Sequence, residues 1–356
     1  MRSIRLRLGL TAFLLVLSAA SAPLAGTADT LPASLTDQQF WALTQRFSEP
    51  NGYFRSQSGS TDNLLSNENT LSTVAAELEK IVKPSGVYLG VGPEQNFTYI
   101  AAIKPRLAII TDIRRGNLQL HLLYKALFET TANRADFVGR LFSRTRPAGL
   151  SATATAGELL AAYQAAPPVS DAAFTANLDA VMAHLTKTRK LPLDADDVAG
   201  IAYVYGNFYK FGPDINYSST INGRSGGQGS YARILAVPDR ALGTERSYLA
   251  TEANFTIIKG LEAKNLIVPI VGDFAGPKAL RAVAAYLKEH GAVVSAFYVS
   301  NVEDYLQRNG VMGRFCANVA AMPLDPASTF IRPSSRAGFF GSMMAEAMAC
   351  RQALPS

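Results

Sequence analysis

Two short apolar segments on either side of one helix constrain the fold of this chain most strongly. Residues 87–91 and 107–110 are nearly unbroken apolar runs, of the kind that is buried on both faces of a parallel sheet. Residues 95–103 between them have a helical pattern, and Lys104 and Pro105 end it. Because parallel neighbours need a crossover connection, this order predicts a βαβ unit.

A second group of strands follows after a long gap. Three apolar runs are predicted as strands: 266–271, 292–299 and 329–332. Residues 115–260, before this group, are mostly helical in pattern. We therefore predict an α/β fold, a Rossmann-like parallel sheet with flanking helices and a large helical insert between the second and third strands. Residues 29–356 are predicted to form one such domain.

The N-terminus predicts a secretory signal peptide over residues 1–28. Three arginines in the first seven residues precede an apolar run at 8–17, and small residues follow it. The run is shorter than the roughly 20 residues that a membrane-spanning helix needs. We expect an exported protein, periplasmic or secreted, with no integral membrane span once the signal is removed. An uncleaved N-terminal anchor is the alternative.

Composition limits the classes of partner. Apolar residues make up 48% of the 356 residues and charged residues 17%, which suits a large buried core. The net charge of +6 falls to +3 when the three leader arginines are removed, and no Lys/Arg block stands out. We therefore expect a small-molecule ligand and no nucleic acid.

The cysteines and histidines bear on two points, disulfide formation and metal binding. Cys316 and Cys350 could form a disulfide outside the cytosol, or remain as two buried thiols. None of the three histidines has a neighbour at the spacing of metal ligands, so no metal is expected.

A glycine loop follows the first predicted strand. Gly90 and Gly92 would let a ligand approach the backbone, beside the free N–H groups of the next helix. Asp112 lies twenty residues after Gly92, at the end of the next strand, where an acid binds ribose hydroxyls in mononucleotide-binding folds. The pattern predicts a nucleoside site. The alternative is a tight strand-to-helix turn with a capping aspartate.

Two further features bear on the ligand. Glu94 stands in place of a third glycine, and a carboxylate there would repel a pyrophosphate, which argues against NAD or FAD. The polar loop at Asn67 and Glu68 suits a hydrated ligand, although such residues also cap helices. We assign Asn67, Glu68 and Tyr88 to the substrate side of the site. Aromatic residues within 203–217 fit either a cavity wall or core packing.

Four segments occur in one particular order: 88–92, Asp112, 271–273 and 296–306. The residues in these segments, and their order, resemble those of class I S-adenosylmethionine-dependent methyltransferases. More closely, residues 52–55, 62–68 and 88–97 resemble an uncharacterised exported bacterial family of methyltransferase-like fold. Tyr88 replaces the acid that usually stands two residues before the first glycine.

The resemblance implies a role for each matching residue. Gly90, Gly92 and Glu94 would lie in the loop around the methionine part of S-adenosylmethionine. Asp112 would bind the ribose and Asp273 would lie on the adenine side. Ser300 and Asn301 would lie beside the transferred methyl group.

Two functions are compatible with these residues. The first is methyl transfer from S-adenosylmethionine to an unknown substrate, a reaction that depends mainly on alignment. The second is an exported, non-catalytic Rossmann-like protein that binds a small ligand or a partner. Export favours the second function, whereas the glycine loop, Asp112 and Asp273 favour the first.

Overall fold

The protein is a mixed α/β structure built on one six-stranded sheet. The computed structural model describes residues 29–53, 62–220, 229–333 and 338–353. The strands are β1 (Val87–Val91), β2 (Leu107–Asp112), β3 (Ile267–Val271), β4 (Val294–Tyr298), β5 (Thr329–Ile331) and β6 (Phe340–Ser342). Their order across the sheet is β3-β2-β1-β4-β5-β6.

The α/β prediction is confirmed, and the prediction of a wholly parallel sheet is corrected at one edge. Neighbouring strands from β3 through β5 are parallel, whereas β6 is antiparallel to β5. The connection from β5 to β6 is residues 332–339, which is shorter than the dozen or so residues that a parallel crossover needs. Residues 341–342 pair with Phe330 and Thr329 in this edge strand.

Fourteen α-helices are present among the described residues, and seven of them come between β2 and β3 in sequence. Those before β3 are α1 (Asp37–Phe47), α2 (Leu71–Ile81), α3 (Gln95–Ile103), α4 (Arg115–Thr130), α5 (Arg134–Leu141), α6 (Ala156–Ala165), α7 (Asp171–Ala183), α8 (Ala195–Phe211), α9 (Tyr231–Leu235) and α10 (Glu252–Ala263). Those after it are α11 (Ala279–Glu289), α12 (Val302–Arg308), α13 (Met312–Ala320) and α14 (Met343–Ala353). The helices α4 to α10 are called the insert below.

The insert shares one core with the sheet because α4 is buried along most of its length. This helix lies against β3 of the sheet and against α8 and α10 of the insert, and its leucines are buried. Lys125, which is also buried, bonds Glu129 Oε1 at 2.8 Å and the carbonyl of Glu262 on α10 at 2.6 Å. A charged group buried in this way has to be paired, so Lys125 connects α4 to α10 within the insert.

The two cysteines form a disulfide. Cys316 on α13 and Cys350 on α14 are bonded, with their Cα atoms 5.5 Å apart. The bond attaches the last helix to the helix that precedes β5. Within the described ranges, no helix is long and apolar enough to cross a membrane. The predicted signal peptide, residues 1–28, lies outside them.

Candidate functional site

A cavity of about 580 Å³ lies at the carboxyl ends of β1, β2, β3 and β4. We call it the sheet cavity. Six of the ten residues predicted for the site line it: Asn67, Gly92, Asp112, Asp273, Ser300 and Asn301. The other four are buried and are not among its lining residues: Glu68, Tyr88, Gly90 and Glu94. The fold thus brings residues from 67 to 301 to one place, with four predicted residues behind its wall.

The glycine loop is held by a histidine from the insert. Gly92 has φ +75°, a conformation that favours glycine. Its carbonyl oxygen lies 2.9 Å from Nε2 of His121 on α4. Burial lowers the pKa of His121 to about 4, so the imidazole is neutral at pH 7, and Nε2 must carry the proton that it donates to Gly92. His121 was not a predicted site residue.

Gly90 has a structural reason to be glycine. A Cβ at this position would lie 1.9 Å from Oδ1 of Asn96. Asn96 is fully buried, accepts a hydrogen bond from the Tyr88 hydroxyl at 2.8 Å, and donates to three successive loop carbonyls, those of residues 91, 92 and 93. Gly90 and Tyr88 therefore make room for and orient the side chain that shapes the loop. A direct ligand contact by either residue stays a prediction.

Glu94 is buried behind the wall of the sheet cavity, which weakens the reason given above against a pyrophosphate. Both of its carboxyl oxygens accept from the backbone N–H of Ser66, at 3.2 Å each. The side chain is fully buried, and this burial raises its pKa to about 8. At pH 7 the group is therefore mostly the neutral acid. Sequence could not reveal this because the repulsion argument assumed a solvated carboxylate.

Asp112, the predicted ribose acid, is bound by a nearby arginine. Arg114 donates to Oδ1 through its backbone N–H at 2.9 Å and through Nε at 3.1 Å, and to Oδ2 through Nη2 at 3.2 Å. Asp112 is 5% exposed and still lines the cavity. Because a carboxylate oxygen has two lone pairs, Oδ1 is already fully used, and Oδ2, which accepts one bond from Arg114, can accept one more from a ligand.

Asp273 has a freer carboxylate at the end of β3. Its Oδ1 accepts from the backbone N–H of Ala275 at 2.9 Å, which shapes the turn. Its Oδ2 has no hydrogen-bond partner among the described residues. The preceding Gly272 lets α11 pack closely, since a Cβ there would lie 2.3 Å from Cβ of Ala279. One acceptor oxygen is therefore available to a ligand in the cavity.

Ser300 connects the cavity to a buried carboxyl group. Its φ is +50°, and its hydroxyl donates to Oε1 of Glu68 at 2.5 Å. Gln95 donates to the other oxygen of Glu68, also at 2.5 Å. Burial raises the pKa of Glu68, and hydrogen bonds from Ser300, Gln95 and Tyr298 oppose that rise. Since Ser300 and Tyr298 line the cavity, their hydroxyls can carry a proton between a bound molecule and Glu68.

Aromatic side chains complete the wall of the sheet cavity. Tyr53, Tyr217, Phe274, Tyr298 and Tyr305 line it, as does Arg114. Within the aromatic stretch 203–217, Tyr205 and Phe208 are buried in the core, and burial raises the pKa of the cavity residue Tyr217 to about 12. Tyr217 lies in the stretch for which the sequence allowed a cavity wall, whereas Tyr298 at the end of β4 and Tyr305 on α12 were not assigned to the site, because a local pattern does not show which side chains face a cavity. Among the described residues, no cluster of His, Cys, Asp or Glu is arranged to hold a metal ion.

Comparison with known proteins identifies the family of this chain. No curated protein matches the chain. A family model matches the last part of the polar loop, β1, β2 and the first half of the insert, and matches again from α9 to α14, so it includes all six strands. The chain therefore belongs to the family described as Domain of unknown function (DUF7790), which it matches over residues 64–191 and 231–349.

Proposed function

We propose that this protein is a methyltransferase-like protein that binds S-adenosylmethionine in the sheet cavity. The observation that carries the proposal is the position of Gly92, Asp112 and Asp273 at the ends of three adjacent strands around one cavity. The proposal is supported by the strand order 3-2-1-4-5, which resembles the order of Rossmann-like sheets, where ligands bind at the point at which the order reverses. Here the reversal lies between β1 and β4, both of which end at the cavity.

The lining residues suit the parts of this cofactor. Asp112 and the free Oδ2 of Asp273 are acceptors for ribose hydroxyls and for the adenine amino group. Tyrosine rings offer faces for a base, and Arg114 is a cation near which a carboxylate is favourable. The volume of about 580 Å³ falls in the range of ordinary ligand sites.

S-adenosylmethionine supplies an electrophilic methyl group when it is bound. The chain's own contribution would be to align a nucleophile and to accept its proton. Ser300 is placed for the second task, because its hydroxyl can pass a proton to Oε1 of Glu68. This assignment favours a substrate whose nucleophile is a hydroxyl or an amine.

A second candidate function, binding of a small ligand without methyl transfer, is favoured by two observations. Arg114 already occupies both oxygens of Asp112. The disulfide Cys316–Cys350 is typical of proteins outside the cytosol, whereas S-adenosylmethionine is made and used inside it. Under this alternative the sheet cavity would hold another polar molecule.

Calorimetric titration of residues 29–356 with S-adenosylmethionine and S-adenosylhomocysteine tests the proposal. We expect saturable binding of both. Asp112→Asn should weaken both by about ten- to a hundredfold, because a hydrogen bond to a charged group is lost. The matched control is Asp179→Asn, an exposed carboxylate on α7 that should leave affinity unchanged. No heat at millimolar ligand from a folded protein would overturn the proposal and leave the second candidate.

A further inference from the structure

A second cavity lies within the insert, apart from the sheet cavity. It has a volume of about 410 Å³ and is lined by the C-terminal end of α4, by α5 and the segment after it, and by side chains from α6 and α7. No residue lines both cavities. We call it the insert cavity. Three arginines line it: Arg140, Arg144 and Arg146.

Two of the three arginines of the insert cavity form no ion pair with a residue that the structure describes. Among its described lining residues, Asp136 is the single carboxylate, and it is already paired with Arg146. Arg140 forms no ion pair with a described residue. Arg144 donates from Nη1 to a neutral acceptor, the carbonyl of Ala166, at 2.7 Å. Arg140 and Arg144 therefore have no carboxylate of a described residue within ion-pair distance.

The backbone at this place does not compensate the arginines either. The end of α4 carries the negative end of the helix dipole, which would attract cations. Lys259 on α10 occupies that end: its Nζ lies 2.6 to 3.2 Å from the carbonyls of residues 128, 129 and 131. The arginines thus face a helix terminus that is already neutralised.

Arg144 is held in place before any ligand arrives. Backbone hydrogen bonds flank it: Thr145 donates to the carbonyl of Pro167 at 3.2 Å, and Val169 donates to the carbonyl of Ser143 at 2.9 Å. Its guanidinium packs on Gly212, where a Cβ would lie 2.3 Å from Nη2. Its Nε is buried without a hydrogen-bond partner. A fixed arginine loses little entropy on binding, and an unpaired buried donor costs stability that a bound acceptor nearby would offset.

We propose that the insert cavity binds a small multivalent anion, a phosphate or a polycarboxylate. Guanidinium groups present planar pairs of donors that match both kinds of oxyanion. A dianion would offset the two unpaired charges of Arg140 and Arg144 at once. The site is independent of the proposed cofactor and would remain if the sheet cavity bound something else.

Titration with inorganic phosphate and with citrate, followed by calorimetry and by thermal unfolding, tests this site. Sodium chloride at matched ionic strength is the reference, because any cationic protein responds to salt. We expect saturable binding of at least one of the two anions and a midpoint of unfolding that rises with its concentration. No saturable heat from either anion would overturn the proposal.

The variant Arg140→Gln separates a built site from general charge. In the wild-type protein the side chain of Arg140 forms no hydrogen bond or ion pair with a described residue. Its replacement should therefore leave the fold intact. We expect anion affinity to fall about tenfold or more, whereas Arg314→Gln, an exposed arginine on α13, should leave it unchanged. Equal losses in both variants would show that net charge alone binds the anion, and would also overturn the proposal. Binding of S-adenosylmethionine should be the same in both variants.

Discussion

The imidazole of His121 donates from Nε2 to the carbonyl oxygen of Gly92 at 2.9 Å, and its Nδ1 is buried without a partner. This contact joins the first helix of the insert to the loop that ends β1. It makes the shape of the sheet cavity depend on a neutral histidine 29 residues away in sequence. The protonation state of His121 is therefore a structural property of the site.

Acid should destabilise the protein through His121. Its pKa in the folded state is about 4, below the ordinary 6.5, so between these values the unfolded chain binds a proton that the folded chain does not. The contribution is complete above pH 6.5 and is lost as the pH falls toward 4. Urea unfolding at pH 7 and pH 5 should show wild type losing about 2 kcal/mol more than His121→Asn. Parallel losses in the two proteins would contradict this.

Glu94 should act in the opposite direction. Its folded pKa of about 8 lies above the ordinary 4.5, so its contribution is complete below pH 4.5 and is lost as the pH rises through 8. Glu94→Gln keeps the shape and removes the titration, so its free energy of unfolding relative to wild type should rise by a few kcal/mol between pH 5 and pH 8. Glu262, whose pKa is also raised to about 8, is present in both proteins and does not affect the difference. A difference independent of pH would show that Glu94 is charged in the fold.

Gly90→Ala should destabilise the protein even without ligand. The new methyl group would overlap Oδ1 of Asn96, at 1.9 Å, and Cε1 of Tyr88, at 2.8 Å. Overpacking of this kind costs about 1–3 kcal/mol. Gly206→Ala, in the middle of α8 with no atom within 4 Å of the new methyl, should instead stabilise by up to about 1 kcal/mol. Thermal unfolding compares the two, and similar stability changes would show that Asn96 does not fill this space.

The disulfide should contribute measurably to stability. It closes a chain segment of 34 residues, for which the loss of unfolded-state entropy corresponds to about 3–4 kcal/mol. We expect Cys316→Ala combined with Cys350→Ala to unfold at lower denaturant concentration than wild type. Dithiothreitol should lower the stability of wild type to a similar extent and leave the double variant unchanged. An equal response of both proteins to the reductant would show that the bond is absent in solution.

Local sequence pattern was sufficient for the elements nearest the site. The strand over 87–91 and the helix over 95–103 have the predicted boundaries, because an apolar run and a Lys-Pro stop determine them without help from distant residues. The end of the segment 115–260, predicted as mostly helical, is helical only from Glu252, because Thr251 caps α10 by accepting a hydrogen bond from the backbone N–H of Asn254 at 3.1 Å. The helices α9 and α13 were not predicted: α9 has five residues, too few for a periodic pattern, whereas α13 is as long as α3 and was missed.

The sequence by itself determined the α/β class, the βαβ unit at the start of the sheet, and six of the residues that line the sheet cavity. These follow from local hydrophobic pattern and from strand ends, where polar residues must leave the sheet. The tertiary structure decided what the other four residues do. It placed Glu94, Glu68, Tyr88 and Gly90 behind the cavity wall. Burial there raises the pKa of Glu94, Glu68 and Tyr88. It also paired Arg114 with Asp112 and His121 with Gly92, because burial and long-range partners exist only once the chain is folded.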